Sequence, residues 1–315
     1  MILTVTLNAA LDVTYGVDSL RPRTSHRVGA VHRRAGGKGV NVARVLAGRG
    51  RAVTVTGLVG GPTGALVRED LRAVRGLCDA LVPVSGESRR TVTVVSGDDG
   101  DASVFNERGP QVSPSEWRAF AGRFAELVRE ASVVALCGSL PPGLPSDAYA
   151  QLVARAAETG VPTVLDTSGA PLLDALGARP DVVKPNAAEL ASATGCEDAA
   201  AGAERLRGLG ARSVVVSSGP GGLLAVTPGG RRRAVPPERL AGNPTGAGDA
   251  CVAALAAGLA DGAHWGDVLS DAVALSAAAV ACPVAGDVDA ATYERFRTTV
   301  TVEDLPAPRP PGRAR

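Results

Sequence analysis

The chain contains few lysines, few asparagines and few aromatic residues. Only two of its 33 basic residues are lysines, Lys38 and Lys184, and the others are arginines. Aromatic residues make up 3% of the chain, too few for the base-stacking platforms of single-strand nucleic-acid-binding proteins. The net charge of +1 provides no general attraction to nucleic acids or membrane surfaces. We therefore expect no nucleic-acid and no membrane partner.

Long apolar segments and paired cysteine motifs are also missing. No run of about 18 apolar residues suggests a membrane helix. The first residues enter an apolar strand pattern without the charged leader of a secretory signal. The five cysteines are odd in number and widely spaced, with no C-x-x-C pair. This pattern predicts a reduced, cytoplasmic protein.

The scarce lysines and asparagines all lie in or beside segments marked by glycine or proline, or at the end of the first apolar run. The planar fork of arginine cannot replace the compact ammonium of lysine at a point contact. A lysine kept in such an arginine-rich chain therefore indicates a chemical role. The five asparagines mark candidate segments in the same way: Asn8, Asn41, Asn106, Asn186 and Asn243.

Short valine-rich runs alternate with alanine-, leucine- and arginine-rich stretches of helical period. This alternation predicts a doubly wound α/β fold, with a mostly parallel sheet and helices on both faces. Two segments, about 13–34 and 89–105, show short alternating strands instead, and we expect them to form a small β lid over the ligand edge. We expect one domain over residues 1–303 and a disordered tail rich in proline and arginine over 304–315.

The strongest candidate site is the segment from Thr245 to Asp249, which an apolar helical pattern follows directly. Gly246 and Gly248 would let the N–H groups of the first helical turn converge on an anion, and the helix dipole adds to that attraction. Asp249 could take a proton from a hydroxyl as a phosphoryl group arrives. The alternative interpretation is a capped helix start without catalysis.

A second glycine-rich turn opens a helix near residue 39. It is not a P-loop, because Gly39 follows the lysine and the four-residue spacer between glycines is missing. We interpret it as a site for a sugar hydroxyl or phosphate, with a purely structural turn as the alternative. Its candidate residues are Gly36, Gly37, Lys38 and Asn41.

The segment Lys184-Pro185-Asn186 ends a predicted strand and precedes a helix. Asn186 and Glu189 stand three residues apart, on one helical face, so both side chains can reach one hydrated cation. Mg²⁺ keeps most of its waters and needs few protein ligands, which suits this pair. A helix-capping pair with no metal is the alternative interpretation.

Three further segments are weaker candidates. The turn from Ser217 to Gly222 joins two strands; it suits the phosphates or ribose of a nucleotide, or is a plain hairpin. Asp12 follows the first strand and could bind sugar hydroxyls, although single acidic loop residues are usually only solvated. Arg89 and Arg90 open the second lid segment and would suit a substrate phosphate.

In order and spacing, these segments resemble the ribokinase-like carbohydrate kinases of the phosphofructokinase-B family. The resemblance rests on the segments Gly36–Asn41, Gly138–Gly143, Leu165–Gly169, Lys184–Asn186 with Glu189, and Thr245–Asp249. The segments Thr4–Asp12 and Asn106–Pro110 favour the branch of 1-phosphofructokinases and tagatose-6-phosphate kinases. The resemblance implies a ribokinase-like fold, ATP with Mg²⁺ as phosphoryl donor, a sugar-phosphate acceptor and a homodimer formed through the β lid.

The resemblance also implies roles for individual residues. Asp249 would be the general base, and Gly246, Ala247 and Gly248 would form the anion hole. The sugar phosphate would lie against Asp12, Gly36, Gly37, Lys38, Asn41 and Arg89. ATP would lie against Lys184, Asn186, Ser217, Gly219, Gly222 and Thr245. Asn186 and Glu189 would hold Mg²⁺ through water.

Two departures from the family pattern affect the acceptor site. The usual Asn-Pro-Ala-Leu-Asp opening reads Asn8-Ala9-Ala10-Leu11-Asp12, and the lid segment reads Arg89-Arg90-Thr91-Val92 where Thr-Arg-x-Asn is common. Which of the two arginines meets the phosphate therefore stays open.

The predicted function is phosphorylation of fructose 1-phosphate at its 6-hydroxyl. Tagatose 6-phosphate or fructose 6-phosphate are the alternative acceptors. A catalytically silent sugar-phosphate sensor is the alternative from another class. A nicotinamide oxidoreductase would fit the α/β pattern, but the chain lacks its glycine fingerprint.

Overall fold

The valine-rich segments predicted as strands form the centre of a large sheet. The computed structural model describes residues 1–98 and 101–306. Its strands are β1 (Ile2–Thr6), β2 (Ala10–Val17), β3 (Ala30–Gly36), β4 (Val53–Val59), β5 (Leu77–Asp79), β6 (Val82–Pro83), β7 (Arg89–Ser96), β8 (Ala102–Asn106), β9 (Val133–Cys137), β10 (Thr163–Asp166), β11 (Val182–Val183), β12 (Ser213–Ser217), β13 (Leu223–Thr227), β14 (Gly230–Val235) and β15 (Thr301–Leu305). Its helices are α1 (Lys38–Gly48), α2 (Gly61–Arg72), α3 (Pro114–Leu127), α4 (Ala148–Glu158), α5 (Ala170–Leu176), α6 (Ala187–Thr194), α7 (Ala199–Leu209), α8 (Ala247–Ala260), α9 (Trp265–Val280) and α10 (Ala290–Arg297).

The large sheet has the order β15-β14-β13-β12-β11-β10-β9-β1-β4-β5, and β6 pairs with β4. The strands from β5 to β12 along this order are parallel, and β13, β14 and β15 are antiparallel. The chain passes from β1 to β4 on one side and later returns to β9 on the other side of β1. Ligands of such sheets bind at the carboxyl ends of the strands where the order reverses. The end of β1 is therefore the expected position of the site.

Helices cover both faces of this sheet, as the sequence predicts. In β9, Val133, Ala135 and Cys137 belong to a buried cluster with α1, α8 and α9, whereas Val134 and Leu136 belong to a second cluster with α3, α4 and α7. The alternation follows from the two-residue period of a strand, which points successive side chains to opposite faces. The predicted doubly wound α/β fold is confirmed.

A separate four-stranded sheet, which we call the lid, has the order β3-β2-β7-β8. The two inserted segments meet through a parallel pairing of β2 with β7, in which Asp12 lies opposite Thr91. Leu11 and Val13 of β2 are buried in the cluster that includes Val67 of α2, so the lid packs on the core. The prediction of a small β lid is confirmed, with strands that begin at residue 10 and end at residue 106. Residues 99 and 100 of the predicted lid lie outside the described residues.

The predicted start of the tail, residue 304, is wrong. Strand β15 includes Asp304 and Leu305 and pairs with β14, where Arg232 contacts Asp304 at 2.9 Å. The sequence pattern missed this edge strand because its partner lies about 70 residues earlier in the chain. Residues 307–315 of the predicted tail lie outside the described residues. Within the described residues, no helix is long and apolar enough to cross a bilayer.

Candidate active site

A cavity of about 1380 Å³ opens at the carboxyl ends of the parallel strands, with the lid along one side. Residues from the ends of β1, β9, β10 and β12, from the starts of α1 and α8, and from β2 and β7 line it. Pockets for one drug-sized ligand usually measure about 300–1,000 Å³. The cavity is therefore large enough for two ligands side by side.

Of the site residues that the family resemblance implies, all except Gly36 line this cavity. Gly36 stands behind Asp12, and a Cβ atom on Gly36 would lie 2.0 Å from the Asp12 carboxylate oxygen Oδ2. Such an overlap would displace the carboxylate. Gly36 is therefore required for the position of Asp12 rather than for direct contact with a ligand.

The two adjacent arginines of the lid have different surroundings. Arg89 lines the cavity, and its Nε donates to the main-chain oxygen of Asn8 at 3.1 Å. The guanidinium of Arg90 instead lies 3.4 Å from Thr63 and 3.4 Å from Glu87, away from the cavity-lining residues. Of the two candidates, Arg89 is the one placed to meet a ligand in the cavity.

Helix α8 presents its amino terminus to the cavity. Gly246 caps the helix with φ 92°, and no side chain accepts a hydrogen bond from this end within the described chain. The first-turn N–H groups of a helix have no intrahelical partner, so this end is suited to bind an anion. Of the three N–H groups in the predicted anion hole, that of Ala247 already donates to the main-chain oxygen of Pro244 at 3.2 Å, and the other two are those of Gly246 and Gly248. The side chain of Lys184 adds positive charge here, because its Nζ lies 3.6 Å from where a Cβ on Gly248 would stand.

Asp249, in the same helical turn, is buried beside the cavity with 7% of its surface exposed. Asn41 Nδ2 donates to its Oδ2 at 2.8 Å. Burial, together with the nearby charge of Asp166, raises the pKa of Asp249 to about 7, against the opposing effects of Asn41, Lys38 and Lys184. A carboxylate with a pKa near neutrality is well matched to accept a proton from a hydroxyl group.

The only two lysines of the chain converge on one buried carboxylate, Asp166. Lys38 Nζ lies 3.1 Å and Lys184 Nζ 3.7 Å from Asp166 Oδ1. Burial alone would lower the pKa of Lys38, but Asp166, Glu189 and Asp249 together raise it above its ordinary value. Both ammonium groups therefore stay charged at the carboxyl end of β10.

Asp166 was not among the predicted site residues, although it lies in the Leu165–Gly169 segment of the family resemblance. Its second oxygen, Oδ2, is buried and has no hydrogen-bond partner within the described residues. A buried acceptor left without a partner costs about 1–3 kcal/mol. Asp166 therefore has the capacity to bind a ligand or a hydrated ion.

Asp12, in strand β2 of the lid, lines the cavity. Burial raises its pKa, while a hydrogen bond from Thr91 and the charges of Arg89, Arg34 and Arg44 lower it. Its neighbours in the lid are fixed by register, since Asp12 pairs with Arg34 of β3 and Thr91 of β7. Its carboxylate can accept hydrogen bonds from ligand hydroxyls.

Asn186 and Glu189 form a capping box at the start of α6. Glu189 N donates to Asn186 Oδ1 at 2.8 Å, and Asn186 N donates to Glu189 Oε2 at 2.8 Å. The pair therefore forms the helix cap that was the alternative interpretation, and both residues also line the cavity. A bridge between Asn186 and Ser217 brings the β12–β13 turn, with Gly219 and Gly222, to the same wall.

The described residues, 1–98 and 101–306, contain no group of three or more His, Cys, Asp or Glu side chains arranged to hold a metal ion. The acidic residues that line the cavity are Asp12, Asp166, Glu189, Glu238 and Asp249. Two of them are candidates for a metal, Asp166 with its unpartnered oxygen and Glu189 of the predicted cation pair. Mg²⁺ commonly binds through one or two carboxylates plus phosphate oxygens and waters, and not in a closed protein cage. These residues fit a hydrated Mg²⁺ that arrives with a nucleotide.

Comparisons with known proteins agree with this arrangement. Residues 4–291 match the model of the pfkB family of carbohydrate kinases. The chain is 42% identical to 1-phosphofructokinase from Xanthomonas campestris pv. campestris, over 83% of this chain and 85% of that protein. It is 41% identical to 1-phosphofructokinase from Rhodobacter capsulatus, over 81% and 82%. The structure of phosphofructokinase-2 from Escherichia coli in complex with fructose-6-phosphate superposes with a TM-score of 0.84 at 28% identity, covering 94% of this chain and 98% of that one.

Proposed function

The chain belongs to the pfkB family of carbohydrate kinases, and on this basis we propose that it transfers the terminal phosphoryl group of ATP to the 6-hydroxyl of fructose 1-phosphate. Its fold is the ribokinase-like α/β fold. The choice of acceptor is supported by the two relatives named 1-phosphofructokinase. The observation that supports the chemistry most directly is the buried Asp249 beside the uncapped start of α8, in a cavity that also holds both lysines.

In the proposed reaction, Asp249 takes the proton of the acceptor hydroxyl. The hydroxyl oxygen forms a bond to the terminal phosphorus of ATP, the bond from that phosphorus to the bridging oxygen breaks, and ADP leaves. The N–H groups of the anion hole, formed by Gly246, Ala247 and Gly248, stabilise the charge on the transferred group. The ammonium of Lys184 lies next to this turn and adds to the stabilisation.

The lid side of the cavity would bind the acceptor. Arg89 presents a guanidinium that suits a phosphate, and Asp12 presents a carboxylate that suits sugar hydroxyls. Gly37 and Lys38 open α1 at the same wall, and Asn41 holds Asp249 in place through its 2.8 Å hydrogen bond. The acceptor would thus lie between the lid and Asp249.

The opposite side of the cavity would bind ATP. The residues that line it there are Lys184, Asn186, Ser217, Gly219, Gly222 and Thr245. Asp166 and Glu189, with Asn186, would hold a hydrated Mg²⁺. When bound, this ion would neutralise charge on the phosphate oxygens of the nucleotide.

The Mg²⁺ proposal is tested by a matched pair of substitutions. A second capping box, formed by Ser113 and Glu116 at the start of α3, lies outside the cavity. Glu189→Gln should raise the Mg²⁺ concentration needed for half-maximal activity at least about fivefold, because a carboxylate binds this ion better than an amide does. Glu116→Gln alters an equivalent cap and should leave that concentration unchanged. Equal Mg²⁺ titrations for the two variants would refute a metal role for Glu189.

The acceptor is tested by steady-state ADP release with MgATP and three candidates: fructose 1-phosphate, fructose 6-phosphate and tagatose 6-phosphate. We expect kcat/KM to be at least about tenfold higher for fructose 1-phosphate, a difference of 1.4 kcal/mol in transition-state binding. A preference for either of the other two would move the assignment to that acceptor. Binding of all three without any turnover would support the sugar-phosphate sensor instead.

We also propose that the protein is a cytoplasmic homodimer joined through the lid. The lid exposes Val31 of β3 and Val104 and Phe105 of β8, the last two at 52% and 59% exposure. By register, Val104 lies on the face of the lid that carries Asp12, and Val31 and Phe105 lie on the other face. Exposed apolar side chains on a small sheet favour association between copies. The five cysteines, all described and all free thiols, suit a reducing compartment. Sedimentation of wild type and Val104→Asp tests the dimer, and a wild-type monomer at assay concentration would contradict it.

A further inference from the structure

Asn8, at the end of β1, connects three segments that line the acceptor side of the cavity. Its side chain is buried, with 6% of the residue exposed. Nδ2 donates to the main-chain oxygen of Arg108 at 3.0 Å and to Ser139 Oγ at 3.2 Å. The main-chain oxygen of Asn8 accepts the 3.1 Å hydrogen bond from Arg89 Nε. One residue thus joins lid strand β7, the segment after β8 and the turn after β9.

The side-chain oxygen of this amide is tightly enclosed and makes no hydrogen bond within the described residues. Oδ1 of Asn8 is buried and has no hydrogen-bond partner among the described residues, and a Cβ on Gly109 would lie 2.1 Å from it. A buried acceptor without a partner is unfavourable by about 1–3 kcal/mol. Stability alone therefore does not explain the residue. What the amide provides is a donor that holds two separate segments together.

A second cavity of about 620 Å³ adjoins the first at this point, and we call it the phosphate lobe. Asn8, Arg89, Asn106 and Ser139 line both cavities, and Arg108 lines the phosphate lobe alone. Two of its wall residues are arginines and one is a carboxylate, Glu107, which accepts a hydrogen bond from Arg90 N at 2.7 Å. The Asn8 amide fixes the segments that carry Arg108 and Ser139. An anionic group is the chemistry that this lobe suits.

We propose that Asn8 is a positioning residue for the phosphate of the acceptor: its amide holds the Arg108 and Ser139 segments that wall the phosphate lobe, and its main-chain oxygen holds Arg89. It touches neither the reacting hydroxyl nor ATP. The inference rests on the proposed function, since it takes the acceptor to be a sugar phosphate. It adds a buried residue whose side chain acts on acceptor affinity through the walls of the phosphate lobe.

The test is a double-mutant cycle between Asn8→Ala and Ser139→Ala, because Ser139 Oγ accepts a hydrogen bond from the Asn8 amide. Asn8→Ala should raise the KM for fructose 1-phosphate about 10- to 30-fold and change the KM for ATP and the kcat by no more than about twofold. If Ser139 acts on the acceptor through this hydrogen bond, the double variant should be no worse than Asn8→Ala alone, because coupled residues are not additive. Additive losses in the cycle, or equal rises in the two KM values, would overturn the proposal.

Asn243 provides the matched control. Its Nδ2 donates to the main-chain oxygen of Pro283 at 3.0 Å, and its Oδ1 accepts from Thr245 N at 3.0 Å, so it also bridges two segments. It does not line the cavity but holds Thr245, a proposed ATP-binding residue. Asn243→Ala should therefore raise the KM for ATP and leave the KM for the acceptor unchanged. The reverse pattern would count against the assignment of Asn8.

Ser139→Ala keeps the proposal testable if Asn8→Ala does not fold. It removes one partner of the amide, and it should raise the acceptor KM about threefold to tenfold with the KM for ATP unchanged. An unchanged acceptor KM would count against the proposal. Wild-type protein that turns over no sugar phosphate would instead show that the proposed function itself is wrong, so the two failures are distinguishable.

Discussion

Substitution of Asp249 by asparagine is expected to lower kcat by at least about 1000-fold, because a positioned general base contributes roughly 10²–10⁴-fold to such reactions. The amide has nearly the size of the carboxylate, and rotation of its side chain would keep a hydrogen bond to Asn41. Dissociation constants for ATP and for fructose 1-phosphate should therefore stay within about threefold of the wild-type values. Single-turnover kinetics and equilibrium binding measure the two quantities separately.

Asp267 is the control for this substitution. It occupies the third position of α9, after Gly266, as Asp249 occupies the third position of α8 after Gly248. Asp267 is exposed and does not line the cavity. Asp267→Asn should cost only the helix-dipole interaction, about 0.3–1 kcal/mol of stability, with unchanged kcat. An Asp249→Asn protein with kcat within tenfold of wild type would contradict the role of Asp249.

Replacing Gly246 by alanine is expected to lower kcat by about 100-fold or more. Gly246 has φ 92°, which side-chain-bearing residues rarely adopt, and its Cβ would lie 2.8 Å from the Cα atom of Ala285. Because the nearest contact is with main chain, the turn that presents the N–H groups would have to move. Removal of a single donor from an oxyanion hole has effects of about 10²–10³ in kcat.

Gly262→Ala separates the effect of the steric clash with Ala285 from the effect of the positive φ angle. Gly262 also has positive φ, 63°, but no atom lies within 4 Å of its Cβ position. Its replacement should lower stability by about 1 kcal/mol through backbone strain and leave kcat unchanged. Thermal unfolding and kcat measured on both variants give the comparison. Equal kcat for Gly246→Ala and wild type would show that the position of this turn does not govern the chemistry.

Local sequence patterns were sufficient for the regular elements of the fold. The parallel strands are buried on both faces, so they read as continuous valine-rich runs. Helix α8 begins in the glycine-rich segment where the sequence predicts a helix, since an apolar stretch follows that segment directly. Strand β15 could not be found in this way, because its short sequence becomes a strand only through pairing with the distant β14.

Side-chain choices within the site depended on contacts that the sequence does not display. Arg89 and Arg90 are adjacent in a strand and point to opposite faces, and only the pairing of β7 with β2 shows that Arg89 shares the face of Asp12. Asn186 and Glu189 have a spacing that serves a capping box and a cation site equally well. The local sequence does not show that Asp166 contacts both lysines, because Lys38 and Lys184 lie 128 and 18 residues away.

The dependence of kcat/KM on pH tests the central claim, that Asp249 removes the proton of the acceptor. This ratio reports ionisations of the free enzyme and free substrate. A general base acts when deprotonated, so kcat/KM for fructose 1-phosphate should rise with pH through an inflection near 7, where the pKa of Asp249 lies. The acceptor phosphate also ionises near pH 6. A variant is therefore needed to assign the inflection.

Asp166→Asn provides that assignment. The charge of Asp166 raises the pKa of Asp249, and its removal also leaves Lys38 and Lys184 free to favour the ionised form. The inflection of kcat/KM is therefore expected to move to lower pH in Asp166→Asn, while the ionisation of the acceptor stays in place. A profile that is flat between pH 6 and 9, or an inflection at the same pH in both proteins, would contradict it.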